Sequence, residues 1–194
     1  MDSQFDQIRV YYHHMVPAID AAAWADLQGR LTTQLLPKGG VLLRNGDICR
    51  YVTFINKGLL RYYYLSEGRE VCTGFLAENS YVSEYASFLT QQPATANIDA
   101  LEDCELVHLS LTDMQWMYRH HPVMETFGRR MAEQLFIEVS NQNSRLLTLT
   151  PEERYDWLID QRPSLLQRVP QYMIASLLGI SPEHLSRIRK KRRV

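Results

Sequence analysis

The stretch IASLLGISPEHLSRIRKKRRV, Ile174 to Val194, decides how the rest of the chain is read. Six of the seven positions from Arg187 to Arg193 are basic, interrupted only by Ile188. Ile174, Ala175 and Leu178 fall on one face of a helix opened by Pro170. Gly179 supplies the left-handed turn that bulky side chains resist. Ile180 packs beneath that turn, and Ser181 caps a second helix with Pro182 and Glu183 in its first turn. Leu185 and Ile188, three apart, bury the second helix against the first, and small Ala175 lets the two approach closely. A small residue, a glycine four later, then apolar residues six and nine beyond the glycine is the spacing of a helix-turn-helix. The opposite face of the second helix then displays Glu183, His184, Ser186, Arg187, Lys190 and Lys191. Arginine reaches guanine edges through two hydrogen bonds, glutamate accepts from cytosine, and lysine neutralises phosphate. The plainer reading of a charge run is a solvated tail, but a tail has no need of apolar residues threaded through it at helical spacing. Ser181, Glu183, His184, Ser186, Arg187, Arg189, Lys190 and Lys191 are therefore the candidate DNA-binding residues, and double-stranded DNA is the expected partner.

Charge supports a division of labour along the chain. The 194 residues carry 21 Lys+Arg against 22 Asp+Glu, and the basic cluster takes six of those cations without an acid. What remains is an acidic body with a compact basic end, so only that end is suited to a polyanion. A hydrophobic fraction of 45% and a charged fraction of 22% suffice for a folded core. The first fifteen residues, MDSQFDQIRVYYHHM, lack the apolar block of a signal peptide. No run approaches the length of a membrane span. Cys49, Cys72 and Cys104 are scattered, odd in number and without CxxC spacing, as expected of ordinary thiols in a reducing compartment. These features predict a cytoplasmic protein with no membrane contact.

Upstream of the basic end the texture changes twice. From Phe5 to Leu36 the apolar positions Ile8, Tyr11, Tyr12, Met15, Trp24, Leu27, Leu31 and Leu35 predict helices, broken at Pro17. From Pro37 short β-rich pieces alternate with the turn signals Lys38-Gly39-Gly40, Asn45-Gly46-Asp47, Asn56-Lys57-Gly58 and Glu67-Gly68. YVTFI, LLRYYYL, EVCTGFL, NIDAL and CELVHLS are the strand candidates, and strands at this spacing predict a small antiparallel barrel or roll. Helix returns at Leu111. A long helix is predicted from Val123 to Leu147, with Phe127, Met131, Leu135, Val139 and Leu146 on one stripe. That stripe serves either as a seam between two copies of the chain or as packing onto the roll. LTLTPEER then marks a new start, with Thr150 as N-cap, Pro151 in the first turn, and Glu152 and Glu153 against the helix dipole. The expected fold class is α+β, in three parts. Residues 1–122 form N-terminal helices and an antiparallel β-roll sensor domain, 123–147 a long dimerisation helix, and 148–194 a C-terminal helix-turn-helix DNA-binding domain.

This order of parts resembles the cyclic-AMP receptor protein / fumarate–nitrate regulator (Crp/Fnr) family of bacterial transcription factors, and the resemblance covers essentially the whole chain. LLPKGGVLLRNGDICRYVTFINKGLLRYYY (35–64) resembles the family's cyclic-nucleotide-binding-type jelly roll. YVSEYASF (81–88) and PATANIDAL (93–101) resemble its phosphate-binding cassette, and VPQYMIASLLGISPEHLSRIRK (169–190) its DNA-binding module. The resemblance implies base reading by Glu183 and Arg187, with Pro182 replacing a frequently basic residue. It implies a small-molecule pocket at Ser83, Glu84, Tyr85, Thr95 and Ala96. The cassette departs from the pattern of a cyclic-nucleotide binder, which has Gly-Glu and, eleven positions after the Gly, an Arg. Here Ser83-Glu84 and Ala94-Thr95-Ala96 stand in those places. Ala94 leaves a phosphate without its guanidinium partner, so cyclic AMP is not expected to bind usefully. Arg44, Arg61 and Arg69 are the substitutes that neighbouring strands offer. The family also continues past the recognition helix into a β-hairpin wing. This sequence stops at Val194 instead: either Arg189, Lys190, Lys191, Arg192 and Arg193 supply the phosphate contacts without a wing, or the sequence is a piece of a longer chain.

The expected function is a homodimeric DNA-binding regulator of transcription whose roll accepts an unidentified small-molecule effector or none. The alternative is an effector-binding module whose terminal helices dock on a protein such as RNA polymerase without sequence-specific DNA binding. Catalysis is not expected: no GxSxG, HExxH or P-loop occurs, and Glu84 and His108 are single titratable groups. Neither a metal nor a cofactor is expected. His13-His14 and His120-His121 are adjacent pairs that point apart on a helix, and His108 lies within a strand pattern.

Overall fold

A computed structural model describes residues 3–192. Arg193 and Val194, read above as the end of the basic cluster, lie outside the described residues. The chain forms α1 (Asp6–Met15), α2 (Ala21–Gln28), β1 (Thr32–Leu36), β2 (Val41–Leu43), β3 (Tyr51–Lys57), β4 (Leu60–Ser66), β5 (Arg69–Leu76) and β6 (Tyr81–Val82). It continues with α3 (Tyr85–Thr90), β7 (Asn97–Ala100), β8 (Cys104–Ser110), α4 (Leu111–His120), α5 (Pro122–Thr148), α6 (Pro151–Gln161), α7 (Leu165–Arg168), α8 (Gln171–Leu177) and α9 (Pro182–Arg192). Two four-stranded sheets, in the orders β1-β8-β3-β6 and β2-β7-β4-β5, make the jelly roll. The α+β architecture of roll, long helix and terminal helices is the one expected.

One element departs from the pattern of its apolar positions. Helix does not run to Leu36: residues 32–36 form β1, paired antiparallel to β8 with Thr32 opposite His108 and Leu36 opposite Cys104. Leu31 and Leu35, four apart, suggested one helical face, yet Leu31 is buried and Leu35 is 80% exposed. Two consecutive β-branched threonines favour the strand, and pairing with a central strand of the roll decides the competition.

The chain divides into two compact units, 1–62 with 76–134, and 63–75 with 135–194. In the first, Ile8, Tyr12, Trp24 and Leu27 from the N-terminal helices join Phe54, Ile55, Leu106, Val107 and Phe127 in one core. Tyr12 stacks on Phe127 at 3.8 Å between ring centres. In the second, Tyr155, Leu158, Leu165, Met173, Ile174, Ala175, Leu185 and Ile188 are buried. There α6 opens with Thr150 as the N-cap expected, and Glu153 completes a capping box: Thr150 accepts the Glu153 amide and Glu153 accepts the Thr150 amide.

Candidate nucleic-acid interface and roll cavity

The turn between α8 and α9 closes as its sequence requires. Gly179 has φ +67°, the left-handed conformation that favours glycine. The Ile180 amide donates to the Ala175 carbonyl and the Gly179 amide to the Ser176 carbonyl, each at 3.0 Å. This is a Schellman motif, which satisfies the last carbonyls of α8. Ser181 caps α9 by accepting the His184 amide at 3.2 Å. Ala175, Leu185 and Ile188 are buried to 1% exposure or less. With that face committed to the core, Glu183, Ser186, Arg187, Lys190 and Lys191 are exposed, while His184 and Arg189 are half-buried. Among the described residues no ion pair forms to Arg187, Lys190 or Lys191. The Glu183 carboxyl is held below the ordinary carboxylate range, first by the Ser181 hydroxyl, then by its own backbone amide and Arg187.

Arg154 is a positioning residue that sequence reading did not single out. Its Nε donates to the Leu178 carbonyl at 3.0 Å, and Nη1 to Leu149 at 2.8 Å and Leu146 at 3.2 Å. One guanidinium on α6 therefore satisfies carbonyls at the end of α5 and at the turn into α9.

In the first unit a cavity of about 150 Å³ opens in the roll. Leu42, Leu43, Ile48, Val82 and Ile98 make its apolar wall, and Asp47, Cys49, Arg50, Tyr51, Thr53 and Ser83 contribute polar atoms. Of the five candidate ligand residues, Ser83 alone lines it; its hydroxyl donates to the Tyr51 carbonyl at 3.2 Å and lies 3.4 Å from the Cys49 thiol. Glu84 is buried and caps α3, Oε2 accepting the Ser87 amide at 2.6 Å. Tyr85 is half-buried against Phe88, and burial raises its phenol pKa. Thr95 is exposed and Ala96 fully buried. Ala94 is buried too, its amide donating to Asp47 and its carbonyl accepting from Gly46, each at 2.8 Å.

The substitute arginines are disposed as follows. Arg61 is buried and grips Asp99 with two nitrogens, Nε to Oδ1 at 3.0 Å and Nη2 to Oδ2 at 2.6 Å. Arg44 and Arg69 are exposed. Arg50 is the one arginine that lines the cavity, which Asp47 also lines.

His108 sits directly opposite Thr53 in the β3–β8 register. Its Nδ1 lies 2.9 Å from the Thr53 hydroxyl and its Nε2 3.0 Å from Gln34 Oε1. The amide oxygen only accepts, so Nε2 carries the proton and Nδ1 accepts from threonine. Both ring nitrogens are thus occupied, and burial lowers the imidazole pKa to about 4. Among the described residues no cluster of three His, Cys, Asp or Glu is placed to hold a metal. No helix among them is long and apolar enough to cross a membrane.

Comparison with known proteins agrees with this architecture. The profile of the cyclic nucleotide-binding domain matches residues 33–121. A sequence search of curated proteins gives no match. Among solved structures, the Thermus thermophilus catabolite activator protein superposes with a TM-score of 0.58 at 20% identity, over 93% of this chain and 85% of its own. The c-di-GMP-responsive global regulator CLP of Xanthomonas campestris gives 0.68 at 19% identity, over 90% and 92%. FixK2 from Bradyrhizobium japonicum gives 0.72 at 16% identity, over 83% of each chain. The chain therefore carries a cyclic nucleotide-binding-type roll and has the fold of the Crp/Fnr transcription regulators.

Proposed function

We propose that the protein is a homodimeric, cytoplasmic regulator of transcription that binds double-stranded DNA through α9 and acts without catalysis. One observation carries this reading: Leu185 and Ile188 are each 1% exposed while Arg187, Lys190 and Lys191 on the same helix face solvent. Such a helix is anchored on one side and polycationic on the other, which suits a major groove. Arg187 and Glu183 carry base discrimination, Ser181, His184, Ser186 and Arg189 contribute at the groove edge, and Lys190 and Lys191 contact phosphate.

Dimerisation rests on the second half of α5. Phe136, Val139 and Leu147 are 73%, 57% and 76% exposed, and at about 100° per residue they share one face with Asn143. A second copy is the occupant that a helix face of this length and apolarity suits. Two copies then read half-sites about 34 Å apart on a pseudo-palindrome.

For the roll, the proposal is that cyclic AMP is not its effector. Ala94 supplies no guanidinium, Arg61 is committed to Asp99, and the Asp47 carboxylate lines the same cavity as Arg50. Burying a phosphate there costs several kcal/mol, about two decades or more in affinity. A different effector would act at the cavity lined by Ser83, with Glu84 and Tyr85 at the start of α3 and Thr95 and Ala96 just before β7 as the further candidates.

Selection of duplexes from a random pool, followed by mobility shift, tests the DNA reading. Arg187→Ala is expected to weaken the selected site by roughly 1–3 kcal/mol and to relax its preference. Unchanged preference removes Arg187 from base reading. Failure to retain any duplex at low salt favours the alternative, in which the terminal helices dock on a protein such as RNA polymerase. Calorimetry showing micromolar affinity for cyclic AMP overturns the proposal for the roll.

A further inference from the structure

The recognition helix is met from inside its own unit by two carboxylates, one turn apart on α6. Glu152 Oε1 stands 4.0 Å from His184 Nε2, and Asp156 pairs with Arg192. The Arg192 guanidinium also lies over the Tyr155 ring, 5.8 Å from its centre. Between the two contacts runs a groove of about 170 Å³ lined by Glu152, His184, Arg187, Ile188 and Lys191. One acid thus sits in a groove whose other polar walls are an imidazole, a guanidinium and an ammonium. Glu152 and Asp156, one turn apart on α6, meet α9 at two points two turns apart, so the helices cross at an angle between the contacts. An i, i+4 carboxylate pair on one helix addresses positions 184 and 192 on the other.

The geometry points to Glu152 and Asp156 as an internal stand-in for DNA phosphate, one that restrains the sequence-independent affinity of α9. This rests on the DNA-binding reading. Non-specific affinity grows with the number of cations that neutralise phosphates, and each such contact contributes about 0.9 to the salt slope. Arg192 engaged by Asp156 is withdrawn from that number. Glu152 places a fixed negative charge beside Arg187 and Lys191, where an approaching phosphate meets like charge across a few ångströms. Glu183 lies outside this groove and Arg187 makes no ion pair among the described residues, so the carboxylates weigh more on phosphate contacts than on base reading and raise the ratio of specific to non-specific binding.

The test uses the full chain and fluorescence anisotropy with a random-sequence duplex and a selected duplex across a salt series. Glu152→Gln and Asp156→Asn together are expected to tighten random-duplex binding about tenfold near 0.1 M salt, with a smaller gain on the selected duplex. Asp156→Asn alone is expected to steepen the slope of log K against log salt by about 0.9. Glu105→Gln, which removes the same charge from the exposed end of β8, serves as the control and is expected to change affinity less than twofold. The inference is overturned if wild type binds duplex yet the double variant matches it in random-duplex affinity and slope. It is equally overturned if Glu105→Gln reproduces the gain. Glu152→Gln, which breaks no short ion pair, keeps the test decisive should Asp156→Asn loosen the end of α9. A wild-type chain that binds no duplex even at low salt fails the DNA reading itself, a result distinct from either of the others.

Discussion

The Ser176 hydroxyl accepts the Cys72 backbone N–H at 2.9 Å and faces the Glu70 carbonyl at 3.4 Å. A side chain of α8 thereby occupies the outer edge of β5, the terminal strand of its sheet. Ser176→Ala removes the bond, at a cost of about 1 kcal/mol. Amide exchange is the direct readout, with the Cys72 N–H expected to exchange about fivefold faster while amides in α4 keep their rate.

The Arg61–Asp99 pair behaves differently because it is buried, with side-chain exposures of 5% and 16%. Asp99→Asn takes away the carboxylate that two Arg61 nitrogens reach and leaves a cation in a dry site. Loss of one partner from such a pair costs about 3–5 kcal/mol, read as a lower urea midpoint. Replacing both with apolar residues of similar volume is expected to recover most of the loss.

Gly128 sets two effects against each other. Alanine inside a helix is favoured over glycine by about 1 kcal/mol. A Cβ at this position, however, would stand 1.9 Å from the Tyr118 Oη and 2.6 Å from its Cζ. The Tyr118 ring is half-buried, and burial pushes its phenol up to about 12. Sterics win: Gly128→Ala is expected to destabilise by about 1–3 kcal/mol, seen as a lower Tm.

His108 makes stability depend on pH. Its folded pKa is about 4 against an ordinary 6.5, so the unfolded chain binds more protons between those values. The contribution of neutral His108 is complete above pH 6.5 and is lost as pH falls toward 4, by about 3 kcal/mol in all. Urea titrations at several pH values check this, and His108→Gln is expected to flatten that window.

The exposed face of α5 gives the fifth expectation. Phe136→Glu with Val139→Glu places charge on the proposed seam and is expected to shift sedimentation from dimer to monomer at micromolar concentration. A wild-type chain that sediments as a monomer at high concentration removes the seam.

Much of this molecule was legible from residue pattern. Gly179, Ser181, Leu185 and Ile188 take the roles their spacing prescribed, because a tight turn and a two-helix core leave few alternatives for those residue types. The Thr150 N-cap was readable for the same local reason, whereas the Glu153 bond back to the Thr150 amide was not singled out. Less legible was whatever depends on partners distant in sequence. Leu31 and Leu35 looked alike until β8 claimed residues 32–36. Glu84 is acidic in the cassette, yet it caps α3. Arg61 looked like a substitute for a missing cation until Asp99, 38 residues away, accounted for it. On α5, Phe127 and Met131 share a stripe with Leu135 by periodicity, but Phe127 is buried while Phe136, off the stripe, is the more exposed of the two phenylalanines.

The passage of 63–75 through the second unit also bears on how the chain is made. Cys72 waits for a partner 104 residues further along. At ribosomal rates of about 5–20 residues per second, that wait lasts roughly 5–20 s. A nascent hairpin must therefore leave one edge unsatisfied until the terminal helices emerge, and a chaperone that binds extended backbone has that interval in which to act. No single proteolytic cut can excise the second unit whole: a fragment beginning at 135 would lack the strand that Gln142, Arg162 and Ser176 bond.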